Sequence, residues 1–119
     1  MNLSITTEAR TDPSVMHVSG DLDVYTAPQL KEALDNVGLA GKTIVLDLSA
    51  VHFIDSTALG VLVSTLQQSR AHEGELSLVI DDPHLLKIFR ITGFDSLFSI
   101  FPEVAGAIEG RGTTTVVAV

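Results

Sequence analysis

The residues best placed to do chemistry are three small polar groups in a row, Asp55-Ser56-Thr57, which follow the apolar pair Phe53-Ile54 and open a segment of helical character. Two kinds of chemistry suit them. Asp and Ser are preferred helix N-caps, worth about 0.5–2 kcal/mol over Ala, so the pair serves the helix whatever else it does. A Ser hydroxyl at an exposed helix N-terminus is also a favourable place for a phosphate, because free amides and the positive end of the helix dipole both stabilise the added charge. Such a group adds about −1.5 to −2 charges at neutral pH, which changes a binding surface without unfolding the helix beneath it. Ser56 is therefore the candidate modification site. A second polar stretch, Asp21-Leu22-Asp23, precedes another helix start and reads by itself as a solvated turn.

Other chemistries lack their residues. The 119-residue chain has no Cys, which removes disulfides, thiolate nucleophiles and thiol-ligated metals. Its four histidines, His17, His52, His72 and His84, are scattered without H-x-x-x-H or E-x-x-H spacing, so no metal or cofactor is expected and they read as surface or packing residues. No Gly-x-Ser-x-Gly elbow surrounds Ser56, and no P-loop is present, so a hydrolase triad built on Ser56 with His52 or His84 is not favoured. Seven Lys+Arg against 15 Asp+Glu give a net charge of −8, which argues against nucleic acid, whose binding requires cations on phosphates. No basic cluster suits an anionic membrane, and no apolar run approaches the roughly 20 residues that span one. Without a charged n-region and apolar h-region after Met1, a cytoplasmic location is the expectation.

The elements that must position Ser56 follow from patterning. Leu3-Ser4-Ile5-Thr6-Thr7 and Val15-Met16-His17-Val18-Ser19 alternate apolar with polar, with turn residues Thr11-Asp12-Pro13-Ser14 between them, as in an opening hairpin. Thr26-Ala27-Pro28-Gln29 reads as a helix start, Thr26 as N-cap and Gln29 in the reciprocal capping-box position, with Leu30, Leu34 and Val37 on one face and Gly38 or Gly41 as its exit. Thr43-Ile44-Val45-Leu46-Asp47-Leu48 has the near-continuous apolar character of a central strand covered on both faces. Residues 49–54 read as a connector. Leu59, Leu62, Val63 and Leu66 give a helix over residues 56–72, and Leu76-Ser77-Leu78-Val79-Ile80 another buried strand. Asp82-Pro83 starts a short helix ending near Gly93, Leu97-Phe98-Ser99-Ile100 reads as a last edge strand, and residues 102–108 as a final short helix. The order implies one α/β domain, a mixed sheet of four to five strands against about four helices, with the covering helices turning one sheet face into the core. Residues 1–108 form the domain. Residues 109–119 form a C-terminal tail to which no structure is assigned.

Two motifs carry a resemblance that covers the chain to about residue 108. They are Gly20-Asp21-Leu22-Asp23-Val24-Tyr25-Thr26-Ala27-Pro28-Gln29-Leu30, and Asp47-Leu48-Ser49 through Phe53-Ile54-Asp55-Ser56-Thr57-Ala58-Leu59-Gly60. On these the chain resembles the anti-sigma factor antagonists, whose fold is the STAS domain. The resemblance implies that Ser56, directly after Asp55, is the phosphoacceptor, and that Thr57 is a secondary candidate acceptor. Ala58 stands where the family often has Gly, a departure that stiffens the first helical turn and keeps the hydroxyl. It further implies a partner-switching protein that is not itself an enzyme. Unphosphorylated, it would bind an anti-sigma factor that is also a serine kinase of histidine-kinase-like ATPase fold and so free a sigma factor. Phosphorylation of Ser56 would dissolve that complex, and a metal-dependent serine phosphatase would restore it. Asp21, Asp23, Asp55, Ser56 and Thr57 would form the partner-binding surface, acidic if the two loops adjoin.

Three other readings compete. A receiver domain is similar in size, but its acidic pair follows the first strand and its Lys lies late in the sheet, whereas Asp81-Asp82 here precede a helix and Lys87 lies inside it. STAS domains also serve as accessory subunits of lipid or anion transport systems. A constitutive STAS interaction module without phosphorylation fits the same residues.

Overall fold

A computed structural model describes residues 3–8, 12–38 and 41–110. The opening alternation forms strands β1 (Leu3–Thr7) and β2 (Ser14–Leu22), paired antiparallel with Leu3 opposite Gly20 and Thr7 opposite Met16. Helix α1 (Ala27–Val37) follows, then β3 (Thr43–Ile54), α2 (Ser56–Ala71), β4 (Glu75–Val79) and α3 (Pro83–Thr92). A 3-10 turn (Phe94–Ser96), β5 (Ser99–Phe101) and α4 (Val104–Glu109) complete it. The five strands lie in chain order, with β2 to β5 mutually parallel. Parallel neighbours require crossover connections, and the helices supply them. The expected mixed sheet with four helices is therefore observed.

Apolar residues from alternate strand positions, including Met16, Val18, Leu46, Leu48 and Leu78, meet Leu30 and Leu34 of α1, Leu62 and Leu66 of α2, and Leu85 and Phe89 of α3 on one face. A second, smaller core lies on the other face, where Val15, Val45 and Val79 pack beneath Ala107 of α4. The central strand is thus covered on both faces, as its apolar run implies, and a core forms on each face and not only on the one expected from the covering helices. The short α4 buries the odd-numbered members of the central strands, which explains their continuous apolar character. With aromatics scarce, Phe89 and Phe98 supply the one ring contact among the described residues, edge to face at 5.9 Å.

Two expectations are revised. Residues 49–54 are the second half of β3, not a connector. Beside β2 the strand carries two register shifts: His17 and Ser19 face Asp47 and Ala50, and Gly20 and Asp21 face Val51 and Phe53. Each shift inserts one surplus residue and breaks the period-two alternation that marks a strand. Leu48, Val51 and Ile54 are buried instead at every third position. Gly20 sits at the second shift with φ 115°, a value that a side chain would strain. The capping box at α1 is also absent. Thr26 precedes the helix but bonds the preceding loop, and Gln29 instead donates from Nε2 to the Leu3 carbonyl at 3.0 Å, tying α1 to the edge strand. Gly38 ends α1 at φ 85°, and Gly93 ends α3 in the left-handed region. Of the tail expected over residues 109–119, Glu109 closes α4 and Gly110 follows it, and residues 111–119 lie outside the described residues.

Leu62 is fully buried between α2 and the sheet. Leu62→Ala should lower unfolding free energy by about 2–5 kcal/mol in urea titrations, and a loss under about 1 kcal/mol would contradict this packing.

Candidate functional site

The C-terminal ends of the parallel strands β2, β3 and β4 each lead into a helix, and in such sheets this edge is where loops are free to act. The β2 and β3 ends are locked together. Asp21 pairs with Phe53 and Leu22 with Ile54, and the ladder continues one step further through the Asp55 amide, which donates to the Leu22 carbonyl at 3.0 Å. The two loops of the expected acidic surface therefore adjoin.

Asp55 is the N-cap of α2. Its backbone is extended (φ −108°, ψ 179°), and its Oδ1 accepts the Ala58 amide at 3.0 Å. That satisfies one of the amides a helix start leaves without a partner. Ser56 and Thr57 then occupy the first turn, both exposed, and neither hydroxyl has a hydrogen-bond partner among the described residues. An unbonded, solvent-facing hydroxyl over a capped helix is free to be modified and is not needed by the fold.

The β2–α1 loop is organised by Asp23 and Thr26. Asp23 Oδ1 accepts the amides of Tyr25 (2.9 Å) and Thr26 (3.0 Å), while the buried Thr26 hydroxyl accepts the Asp23 amide at 2.9 Å and donates to the Asp21 carbonyl at 2.8 Å. Asp23 is thus chiefly a loop organiser. Asp21 has no side-chain partner among the described residues, which leaves its carboxylate available. The stiff turn holds Val24 (51% exposed) and Tyr25 (83%) out into solvent, and Phe53 beside it is 47% exposed. The second register shift in β3 makes His52 the surplus residue and puts both it and Phe53 outside. His52 Nδ1 lies 3.9 Å from Oδ2 of Asp82, the α3 N-cap, so the β4–α3 junction with Asp81 joins the same edge.

The structure brings Asp21, Asp23, Asp55, Ser56 and Thr57 to one sheet edge, where the two loops adjoin. Sequence reasoning missed the apolar component, Val24, Tyr25 and Phe53. The available signal was position: Val24 and Tyr25 fall in turn chemistry outside the α1 stripe, where burial cannot explain them. Hydrophobic residues grouped at one edge and bordered by carboxylates mark a protein-binding surface. Among the described residues no cluster of three His, Asp or Glu is arranged to hold a metal. No described helix is long and apolar enough to cross a membrane.

Comparison with known proteins agrees with this geometry. The STAS domain model matches residues 4–107. The chain belongs to the STAS domain family. Within it, the chain is 38% identical to the anti-sigma-B factor antagonist of Listeria monocytogenes, across 93% of this chain and 98% of the relative. Among solved structures, an anti-sigma factor antagonist from Mycobacterium paratuberculosis superposes with a TM-score of 0.82 at 30% identity, covering 92% of this chain and 93% of the other. The Bacillus cell fate determinant SpoIIAA in its phosphorylated form shares the fold at a TM-score of 0.67 and 20% identity, covering 91% of this chain and all of that one. The chain is a STAS protein of the anti-sigma factor antagonist kind.

Because Asp55 caps α2 while Ser56 bonds nothing, substitutions at the two should part. Asp55→Ala is expected to cost about 0.5–2 kcal/mol of stability, whereas Ser56→Asp should leave the far-UV circular dichroism and the urea midpoint essentially unchanged. Collapse of the Ser56→Asp spectrum would contradict the geometry.

Proposed function

We propose that this protein is a partner-switching anti-sigma factor antagonist whose unphosphorylated form binds an anti-sigma factor and frees a sigma factor. The observation that carries the reading is the free Ser56 hydroxyl on the capped first turn of α2, on the same sheet edge as Val24, Tyr25 and Phe53. The apolar side chains supply the buried anchors of an interface. Asp21, Asp55, Ser56 and Thr57 supply its polar rim, and Asp23 shapes it from within the loop. The acidic border suits a cationic patch on the partner.

The partner in this reading is also a serine kinase of histidine-kinase-like ATPase fold. The Ser56 oxygen attacks the γ-phosphorus of ATP held by the partner, ADP leaves, and the hydroxyl proton passes to a base of the partner. This chain is the substrate and not an enzyme. Ser56 is the acceptor and Thr57 the secondary one. The product stays compatible with α2, since the helix dipole favours an anion there. It is incompatible with a complex that desolvates the same spot or sets acidic groups against it. A hundredfold loss of affinity is about 2.7 kcal/mol, within reach of one misplaced dianion. A metal-dependent serine phosphatase restores the hydroxyl by hydrolysis, water taking the phosphoryl group and inorganic phosphate leaving. Residues 1–108 suffice for the switch, which operates in the cytoplasm, and residues 109–119 are a tail outside it.

Affinity capture from the native host's lysate tests the reading, with wild type, Ser56→Ala and Ser56→Asp as parallel baits. A kinase-like ATPase should come down with the first two and be depleted with the third. Recovery of the same permease subunits on all three baits, or of no ATPase on any, would reject the assignment. Against the captured partner, Tyr25→Ala should weaken binding about tenfold or more while its stability stays within about 0.5 kcal/mol of wild type.

A further inference from the structure

On the sheet face that carries α4, His17 of β2 reaches two carboxylates at once. Its Nδ1 lies 2.7 Å from Asp47 Oδ2 in β3, and its Nε2 lies 2.7 Å from Glu8 Oε2, just beyond the end of β1. A neutral imidazole has one N–H and one lone pair. If the ring were neutral, its bare nitrogen would oppose a carboxylate lone pair at 2.7 Å. Both contacts are attractive together only when both ring nitrogens carry protons. We propose that His17 is the centre of a proton-dependent clasp, a doubly protonated ring that ties Glu8 to Asp47 across three strands and lets go of one of them when it loses a proton.

The surroundings favour that charge. Glu8 and Asp47 are the only charged groups acting on the ring among the described residues. Its register partner on β1 is Thr6, and α4 brings Val104, Ala107 and Ile108 to this face, none of which titrates. The hydrogen bonds to Glu8 and then Asp47 raise His17 above its ordinary value of 6.5, outweighing partial desolvation. Burial pushes Asp47 up, but hydrogen bonds from the Ser49 hydroxyl and amide and from His17 hold it below the usual carboxylate range. Asp47 has a second duty. Its Oδ1 accepts the Ser49 amide (3.0 Å) and hydroxyl (2.7 Å), and Ser49 belongs to the first register shift of β3. The clasp therefore grips β3 at the point where its register is reset.

The sign of the pH dependence follows. A histidine raised in the folded state contributes stability that is complete below its unfolded value, about 6.5, and is lost as pH rises through the higher folded value. The stability of wild type over His17→Gln should thus be largest on the acid side of 6.5, above the carboxylate range, and should shrink towards alkaline pH.

Ring-nitrogen NMR of the intact protein through a pH titration tests this directly, in wild type, Glu8→Gln and Asp47→Asn. Wild-type His17 should show two protonated ring nitrogens on the acid side of its midpoint, with that midpoint above 6.5, and each substitution should lower it by about half a pH unit or more. A midpoint at or below 6.5, or a midpoint indifferent to Glu8→Gln, would overturn the clasp. Glu8 is exposed and the change is isosteric, so that variant folds whatever Asp47→Asn does.

Discussion

The parallel pairing of β2 with β3 has to reconcile stretches of unequal length, the nine residues Ser14–Leu22 against the eleven from Ile44 to Ile54, and the way it does so determines the rest of the molecule. Two register shifts absorb the surplus, and each turns the outer half of β3 relative to the inner half. Below the shifts the strand is an ordinary central strand, buried under α1 to α3 on one side and α4 on the other. Above them it presents His52 and Phe53 to solvent while Leu48, Val51 and Ile54 remain in the core. The final rung, from the Asp55 amide to Leu22, fixes where α2 begins relative to the β2–α1 loop. Asp47 braces the first shift, Gly20 permits the second, and Asp55 starts the helix on whose first turn Ser56 stands.

Much of this was legible in the sequence because most elements repeat a period that physics ties to one backbone. Leu59, Leu62 and Leu66 mark a helix on a sheet, Asp82-Pro83 marks a helix start, and Gly93 marks its end. The second half of β3 was not legible, since shifts in register replace alternation with a period near three that belongs to neither strand nor helix. The Thr26–Gln29 pairing was misleading for a related reason. Local spacing admits a capping box, but both side chains take other partners, Asp21 and Asp23 of the preceding loop for Thr26 and the distant Leu3 of β1 for Gln29. Within the site, the carboxylates and hydroxyls could be named from their order along the chain. Val24 and Tyr25 were marked only by their place in turn chemistry outside the α1 stripe, and Phe53 not at all, because an exposed aromatic and a buried one look alike until the backbone sets which way each points.

Rigidity and exposure are combined here by dividing the tasks among neighbours. Asp23, Thr26 and Asp55 spend their hydrogen bonds on the backbone, so that Asp21, Tyr25, Phe53, Ser56 and Thr57 need make none. A charge added at Ser56 then falls on a surface already held in place, and its effect is on whatever approaches that surface. The affinity of a partner is thus separate from the stability of the fold. A switch that acted by melting α2 would couple them.

The most direct test is a calorimetric titration of the host's anti-sigma factor with unmodified protein and with protein phosphorylated stoichiometrically at Ser56, each checked for unfolding in urea. The unfolding curves should match, and the phosphorylated form should bind at least about a hundredfold more weakly, a difference near 2.7 kcal/mol. Equal affinities, or a phosphorylated form that binds weakly only because it has lost its fold, would contradict this.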